Sequence, residues 1–127
     1  MHKSRLAGFI IDCRADDLGA AAEFWGRALG YSLKPESNGE DSAFYRTFDT
    51  GPDALHIEVQ KVDHPSRVHL DIAADDIEAE VRRLEQLGAQ RVAQVRTWWV
   101  MEAPTGQRFC VVRPQRADFA ANANAWD

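Results

Sequence analysis

Histidine and carboxylate side chains alternate with apolar ones in two segments of the chain, and this spacing could build a chemical site. In the segments 54–62 and 68–73 the apolar residues occupy every second position. In a β-strand such residues share one face, so the polar residues between them share the other. The polar set comprises His56, Glu58, His69 and Asp71, with Asp12 at the end of an earlier apolar run.

Two interpretations of this polar set stay open. Burial and neighbouring carboxylates can move pKa values toward neutrality, which suits ligand binding or general acid–base catalysis. Under this interpretation Glu58 and His69 are the candidate catalytic pair, and His56 and Asp71 are candidate ligand contacts. The alternative is that these groups pair with one another or with the backbone, or lie in solvent at strand ends.

Aromatic and thiol side chains supply further candidates for a binding site. Trp98 and Trp99 are adjacent in a predicted strand, so one ring faces the helix side and the other the ligand side. Tyr45 opposes its neighbours Phe44 and Phe48 in the same way. Such rings suit a flat or apolar ligand, although packing between sheets is the simpler alternative. Cys110 is a further candidate ligand contact, or a buried inert thiol, because no base is paired with it in the sequence.

Composition excludes several classes of function. The chain has 127 residues, 45% of them hydrophobic and 28% charged, which predicts one globular domain. Its net charge of -5 argues against a nucleic-acid partner, since no basic stripe is present. The longest early apolar run, Leu6 to Ile11, is too short for a membrane span. Two cysteines without metal-type spacing indicate free thiols in a reduced, cytoplasmic protein.

Two amphipathic helices are predicted at 17–29 and 76–87. The first has the stripe Leu18, Ala21, Ala22, Trp25, Ala28 and Leu29, and the second has Ile77, Val81, Leu84 and Leu87. Asp16 or Asp17 caps the first helix and Gly30 ends it. A capping box of Asp75 and Glu78 begins the second helix. Each helix therefore needs a sheet on which to bury its apolar stripe.

The chain also repeats itself. Predicted strands at 6–14, 31–35, 43–50 and 54–62 surround the first helix, and strands at 68–73, 90–96, 98–102 and 108–113 surround the second. The segment 11–18 aligns with 70–77 without a gap, which places Asp12 over Asp71. A further match places Glu58 over Cys110. We expect an α+β fold of two β-α-β-β-β modules at 6–62 and 68–113, a linker at 63–67 and a tail at 114–127.

The second module carries a recognisable resemblance. The segments His69-Leu70-Asp71-Ile72 through Leu87-Gly88-Ala89, and Trp98-Trp99-Val100-Met101 through Phe109-Cys110, resemble the vicinal oxygen chelate superfamily of glyoxalase, bleomycin-resistance and extradiol dioxygenase proteins. The likeness covers about residues 6–113. It implies a cup-shaped mixed sheet with the helices outside and a small ligand inside. The family includes lyases, isomerases, transferases, dioxygenases and non-catalytic drug-binding proteins.

The resemblance also implies where a metal would bind. Family members hold it with residues from the first and last strand of each module, which here are Ile10, Glu58, His69 and Cys110. Only Glu58 and His69 are ordinary ligands for such a metal, and Ile10 has no donor atom. We therefore expect no complete catalytic metal site and no cofactor, with a weakly held divalent metal on Glu58 and His69 as the alternative.

Two functions follow from these observations. The first is a small-molecule binding protein that holds an apolar or aromatic metabolite or antibiotic in the cup. The alternative is a lyase, isomerase or transferase that uses Glu58 and His69 with a weakly held metal. We also expect a homodimer, as is common in the family. A short helical tail would help to hold it, with Phe119 and Trp126 on one side.

Overall fold

The computed structural model describes residues 1–35, 40–52 and 54–127. Asn38-Gly39 and Asp53, whose residue types predict turns, lie outside this part of the chain. The fold is mixed α+β, as predicted. The chain forms two compact units. The first unit consists of residues 8–68, and the second of residues 69–127 together with residues 1–7. The predicted module boundaries at 6–62 and 68–113 stay a prediction.

Among the described residues of the first unit, four strands and one α-helix form its framework. Strand β1 (His2–Cys13) enters it, followed by helix α1 (Leu18–Leu29). The strands β2 (Ser32–Leu33), β3 (Tyr45–Asp49) and β4 (His56–Lys61) complete the sheet, and a 3-10 turn at Glu40–Ala43 precedes β3. The strand order is β2-β3-β4-β1, with β4 parallel to β1 and antiparallel to β3.

Helix α1 buries its apolar stripe against this sheet. The Asp17 carboxylate caps the helix by accepting a hydrogen bond from the Gly19 amide at 2.9 Å. Gly30 ends it in the left-handed conformation with φ 80°, which a residue without Cβ adopts without strain. The shared core is formed by Ile11, Cys13, Leu18, Ala22, Phe48 and Val59. Leu29, predicted to lie on the buried stripe, is the last residue of the helix and is 44% exposed.

The second unit repeats the same order of elements. Strand β5 (Arg67–Ala74) leads into helix α2 (Ile77–Gln86). Strands β6 (Gln90–Val95), β7 (Trp98–Glu102) and β8 (Arg108–Val112) follow. The order is β5-β8-β7-β6, with β8 parallel to β5 and antiparallel to β7. Within both units, therefore, the last strand of the repeat lies parallel to the first.

Helix α2 begins one residue later than the predicted capping box of Asp75 and Glu78 requires. Asp76 is the N-cap, and its carboxylate accepts from the Ala79 amide at 3.0 Å. Asp75 instead accepts a hydrogen bond from the Lys3 amide at 2.8 Å. The prediction of an Asp75 box was therefore wrong, because a residue distant in sequence binds that carboxylate. Within the described residues, neither α1 nor α2 is long and apolar enough to cross a membrane.

The apolar face of α2 packs on the second sheet. Its core cluster is Ala74, Val81, Leu84, Ala89, Met101 and Val111, with Ile72, Ile77, Trp99 and Phe109 against it. Leu87, predicted to be part of the stripe, is 66% exposed because it follows the last helical residue. Leu70 is 43% exposed although it pairs with Phe109, so α2 covers only one end of this face.

The internal repeat holds for the helix caps but not for all strand positions. Asp17 and Asp76 both occupy the N-cap, as the alignment of 11–18 with 70–77 requires. In the first unit Asp12 pairs with Gln60, and Ile10 pairs with Glu58. In the second unit Asp71 pairs with Cys110. If Asp12 is equivalent to Asp71, the residue equivalent to Cys110 is Gln60 and not Glu58. The two expected equivalences therefore differ by two residues and cannot both be right.

The tail is ordered but is not one helix. Helix α3 spans only Phe119–Asn122, and strand β9 (Asn124–Trp126) then pairs antiparallel with His2–Ser4 of β1. Phe119 is buried, and the Trp126 indole N–H donates to the Ser4 hydroxyl at 2.8 Å. The predicted helix with both rings on one side was wrong, since strand pairing with the start of the chain determines the conformation of the last residues.

Candidate ligand-binding site

The strand registers of the second unit define a face directed away from α2. Residues directly opposite each other on neighbouring strands project to the same side of a sheet. Asp71 pairs with Cys110, and Cys110 pairs with Val100. Their sequence neighbours Ile72, Val111 and Met101 belong to the α2 core, so the face with Asp71 and Cys110 is the opposite one. We call this surface the His69 face. Its members are His69, Asp71, Trp98, Val100, Glu102, Arg108, Cys110 and Val112.

Three side chains that can bind a proton or a metal meet on the His69 face. The His69 Nε2 atom lies 3.5 Å from Asp71 Oδ1. One ligand atom from each of His69, Asp71 and Cys110 lies within 4.8 Å of the other two. The His69 and Asp71 side chains are 12% and 15% exposed, and Cys110 is buried. The cluster is thus mostly shielded from water.

The two adjacent tryptophans lie on opposite faces of β7. Trp99 packs against the α2 core, and the Arg91 guanidinium lies 5.0 Å from the centre of its ring. Strand alternation then places Trp98 on the His69 face, where it is half-buried. Trp98 is therefore the aromatic candidate on the ligand side, and the ring of Trp99 lies on the helix side.

An ion pair lies at one end of the same face. The Arg108 Nε–H donates to Glu102 Oε1 at 3.1 Å, across paired positions of β7 and β8. Both side chains are more than a third exposed, so the pair contributes little to stability. Arg108 nevertheless offers a guanidinium two residues from Cys110. Arg108 was not among the predicted site residues, because only the strand register reveals the face on which it lies.

The first unit has its own polar face on the side away from α1. Glu58 Oε1 lies 3.4 Å from His56 Nε2 and accepts from the Thr47 hydroxyl at 3.3 Å. Tyr45 and Thr47 pair with Gln60 and Glu58, so the phenol projects to this face, whereas Phe48 is buried in the α1 core. Thr47 was not singled out in the sequence, since its role depends on the β3–β4 register.

Asp12 lies buried on the same side of the first unit. Its side chain is 2% exposed, and its Oδ2 lies 3.7 Å from Arg67 Nε. Burial together with this partner favours the interpretation that Asp12 pairs within the protein rather than with a ligand.

The two halves of the predicted catalytic pair have separate local partners. Glu58 is held by His56 and Thr47 in the first unit, and His69 lies beside Asp71 in the second. The prediction that Glu58 and His69 act on one ligand stays a prediction.

Both cysteines are free thiols in buried positions. Burial, and secondarily the adjacent Asp12 carboxylate, raises the pKa of the Cys13 thiol. Cys13 belongs to the α1 core, where its Sγ contacts the Ile11 carbonyl oxygen. Cys13 is therefore an inert packing residue, whereas Cys110 projects toward His69 and Asp71.

The residues of the His69 face fit a divalent metal better than the predicted positions do. Ile10, one of the four positions, is 3% exposed and has no donor atom. His69, Asp71 and Cys110 offer nitrogen, oxygen and sulfur donors from one unit. Asp71 Oδ1 is buried without a hydrogen-bond partner among the described residues. An uncompensated buried carboxylate oxygen beside an imidazole suits a cation.

Comparisons with known proteins agree with this architecture. Residues 8–112 match the model of the glyoxalase-like domain. No curated protein sequence matches the chain significantly.

Several solved structures share the fold. A methylmalonyl-CoA epimerase from Mycobacterium tuberculosis is 19% identical with a TM-score of 0.64, and 91% of each chain is covered. An NAD-dependent benzaldehyde dehydrogenase from Legionella pneumophila is 11% identical with a TM-score of 0.60, covering 84% of this chain and 99% of that one. A hypothetical protein from Bacillus halodurans C-125 is 16% identical with a TM-score of 0.53, covering 88% and 96%. At these identities the likeness concerns the fold alone.

The family model covers most of the chain, including helices α1 and α2 and strands β2 to β8. The chain therefore belongs to the glyoxalase-like domain family, within the vicinal oxygen chelate superfamily.

Proposed function

We propose that this protein binds a small apolar or aromatic molecule, such as a metabolite or antibiotic, on the His69 face. The observation that carries the proposal is the combination of one half-buried ring, Trp98, with a shielded polar cluster on a single face of β5, β7 and β8. Ligand sites typically combine apolar lining with a few convergent polar groups.

The arrangement favours a ligand with distinct apolar and polar parts. A planar group can stack on Trp98 and contact Val100 and Val112. Hydrogen-bonding atoms of the ligand would meet His69 and Asp71, where the low local dielectric strengthens each bond. A ligand without such atoms would leave the buried Oδ1 of Asp71 without a hydrogen bond, which costs about 1–3 kcal/mol. We therefore expect purely hydrocarbon ligands to bind poorly.

The probe 8-anilinonaphthalene-1-sulfonate, an aromatic anion, tests the proposal by fluorescence titration. Trp98→Ala should weaken probe binding by about 0.5–1.5 kcal/mol, the usual value of an aromatic pair. Trp99→Phe is the matched control, because the Trp99 ring packs on the α2 side. A probe that does not bind, or that binds equally well to Trp98→Ala and wild type, would contradict the proposal.

The arrangement around Glu58 supports an enzymatic alternative. His56 and Thr47 both contact Oε1 of this carboxylate, which orients it from the side of that oxygen. A carboxylate oriented through one oxygen can use the other for proton transfer. Methylmalonyl-CoA, the substrate in the name of one structural neighbour, is a first compound to assay. Solvent deuterium incorporation that Glu58→Gln abolishes would favour the enzyme, and its absence favours binding alone.

We further propose a cytoplasmic homodimer. Two free, buried thiols support a reducing compartment. Light scattering at several protein concentrations would test the dimer, and a monomer mass at all of them would contradict it.

A further inference from the structure

We propose that His69, Asp71 and Cys110 form a metal site within the second unit, and that this site selects zinc-like ions over magnesium-like ions. The inference goes beyond ligand binding on the His69 face and does not require it. It shares His69 and Cys110 with the four positions that the resemblance implies, but Asp71 is its third donor, and neither Ile10 nor Glu58 takes part. Two of its donors come from one strand, β5, and the third from the neighbouring strand β8.

Strand pairing brings the three donors together. Asp71 lies directly opposite Cys110 in the parallel β5–β8 pair, and His69 precedes Asp71 by two residues on the same face. A spacing of two along a strand and a direct cross-strand neighbour are the shortest separations that a sheet offers on one face. The backbone therefore preorganises the three donors.

The distances are close to those of a tetrahedral metal site. Zinc lies about 2.0–2.2 Å from nitrogen and oxygen ligands and about 2.3 Å from sulfur, which puts ligand atoms about 3.4–3.6 Å apart. His69 Nε2 and Asp71 Oδ1 are already 3.5 Å apart. All three donors lie within 4.8 Å, so closure requires a side-chain movement of only about 1 Å.

The Asp71 carboxylate provides a second, independent observation. Its Oδ1 is buried and has no hydrogen-bond partner among the described residues, and it is the same atom that approaches His69. A buried carboxylate oxygen without a donor is costly, and a cation relieves this cost. A buried carboxylate oxygen that has no hydrogen-bond donor and lies 3.5 Å from an imidazole nitrogen is an arrangement that a shared cation would stabilise.

The donor set determines which ions are favoured. Thiolate and imidazole prefer zinc, cobalt and similar ions, whereas magnesium prefers an octahedron of oxygen atoms. On binding, the Cys110 thiol loses its proton to solvent, and the sulfur–metal bond replaces the S–H bond. Three protein donors leave a fourth tetrahedral position for water or for a ligand atom.

Cobalt(II) titration of the metal-free, full-length protein tests the inference. We expect one cobalt per chain and a thiolate-to-cobalt charge-transfer band in the near ultraviolet. Zinc should displace cobalt and remove the band, while a large excess of magnesium should not. The band should vanish in Cys110→Ser and persist in Cys13→Ser, the matched control, because Cys13 lies in the α1 core.

Two further variants test the remaining donors. Asp71→Asn and His69→Gln should retain the band but bind cobalt at least about tenfold more weakly, since loss of a ligand costs no less than loss of an outer-shell partner. Circular dichroism of each metal-free variant verifies folding, and these two variants keep the test open if Cys110→Ser does not fold.

The inference is overturned by any of several results. These are a titration without a charge-transfer band, a band that survives Cys110→Ser, wild-type affinity in both Asp71→Asn and His69→Gln, or competition by magnesium equal to that by zinc. Probe binding to the metal-free protein separates the two proposals. It would persist if only the metal site is wrong, and it would fail if the His69 face binds no small molecule.

Discussion

The Arg83 guanidinium lies 3.9 Å from the centre of the Trp126 ring and thereby joins helix α2 to the last strand of the chain. Arg83 also donates two hydrogen bonds to the fully buried Glu80, at 2.8 and 2.9 Å. His2 Nε2 lies 2.8 Å from the same carboxylate. These contacts connect both ends of the chain to one helix.

We predict that Trp126→Ala lowers the free energy of unfolding by about 1.5–3 kcal/mol. The change removes a cation–π contact worth about 0.5–2 kcal/mol and a hydrogen bond to Ser4 worth about 1 kcal/mol. Urea unfolding measures the effect. Phe44→Ala is the control, since that ring is 56% exposed, and it should change stability by less than about 0.5 kcal/mol. Equal effects of the two variants would contradict the prediction.

Deletion of residues 115–127 tests the role of the tail in assembly. The truncated chain should melt at a lower temperature, because it loses strand β9 and the buried ring of Phe119. The mass in solution shows whether the tail contributes to dimer formation or only to the stability of its own chain. A dimeric mass retained after deletion would show that the tail serves only its own chain, and an unchanged melting temperature would show that it contributes nothing.

Glu80 should make the protein sensitive to acid. Burial is the largest single effect and favours the neutral form, but hydrogen bonds from Arg83, His2 and Ser4 together outweigh it and lower the pKa of Glu80. Because the folded pKa is depressed, the stabilisation is present above the unfolded value near 4.5 and is lost as the pH falls through the folded pKa.

Glu80→Gln tests this mechanism. At neutral pH it should cost about 2–3 kcal/mol, because it leaves Arg83 without its buried carboxylate. Below about pH 4.5 the difference from wild type should shrink. Urea unfolding at both pH values measures it, with the exposed Glu23→Gln as control. A difference that is constant with pH would show that Glu80 does not titrate in this way.

Gly8→Ala should disrupt the first sheet. A Cβ at this position would overlap the carbonyl oxygen of His56, its partner in the parallel β1–β4 pair. The backbones of β1 and β4 must move apart, and this also displaces Glu58, which follows His56 by two positions on β4. We expect a loss of more than about 2 kcal/mol in unfolding free energy. The same substitution at Gly19, where a Cβ would meet mainly side-chain atoms, is the milder comparison.

Asp76→Ala should remove the N-cap of α2 and cost about 1 kcal/mol. Asp16→Ala is the comparison, because Asp17 rather than Asp16 caps α1. Thermal melts of both variants would measure the difference. A larger effect at Asp16 would show that the caps are assigned incorrectly.

Local patterns predicted most of the fold. The helices α1 and α2, the Gly30 stop and the alternation of His69 and Asp71 with Ile72 all depend on residues close in sequence, and the structure agrees. Of the two predicted caps of α1, Asp16 and Asp17, the structure shows Asp17. The capping box at Asp75 and the helical tail were wrong for a shared reason. The Lys3 amide and the Ser4 hydroxyl bind these segments from the other end of the chain, and no local pattern reveals them.

The candidate site was predictable only in part. Alternation along each strand predicted the residue types and the strand face on which they lie. Which residues of neighbouring strands come together on that face depended on the strand register. Cys110 lies opposite Asp71 in the second unit. The repeat alignment would place Glu58 opposite Asp12 in the first unit, but Asp12 pairs with Gln60, two residues further along β4. Trp98 and Trp99 could be distinguished only once the position of the α2 core was known.

The pairing of Ser4 with Asn124 has a kinetic consequence. Because the second unit contains both ends of the described chain, its sheet cannot be completed until residues separated by 120 positions have met. Contacts of such separation form slowly, since a long loop must close first. Residues 8–68 need no such closure. During synthesis, the first unit can therefore acquire its structure while the segment with His69 and Cys110 is still unfolded, and the sheet of the second unit is completed only after strand β9 has been made.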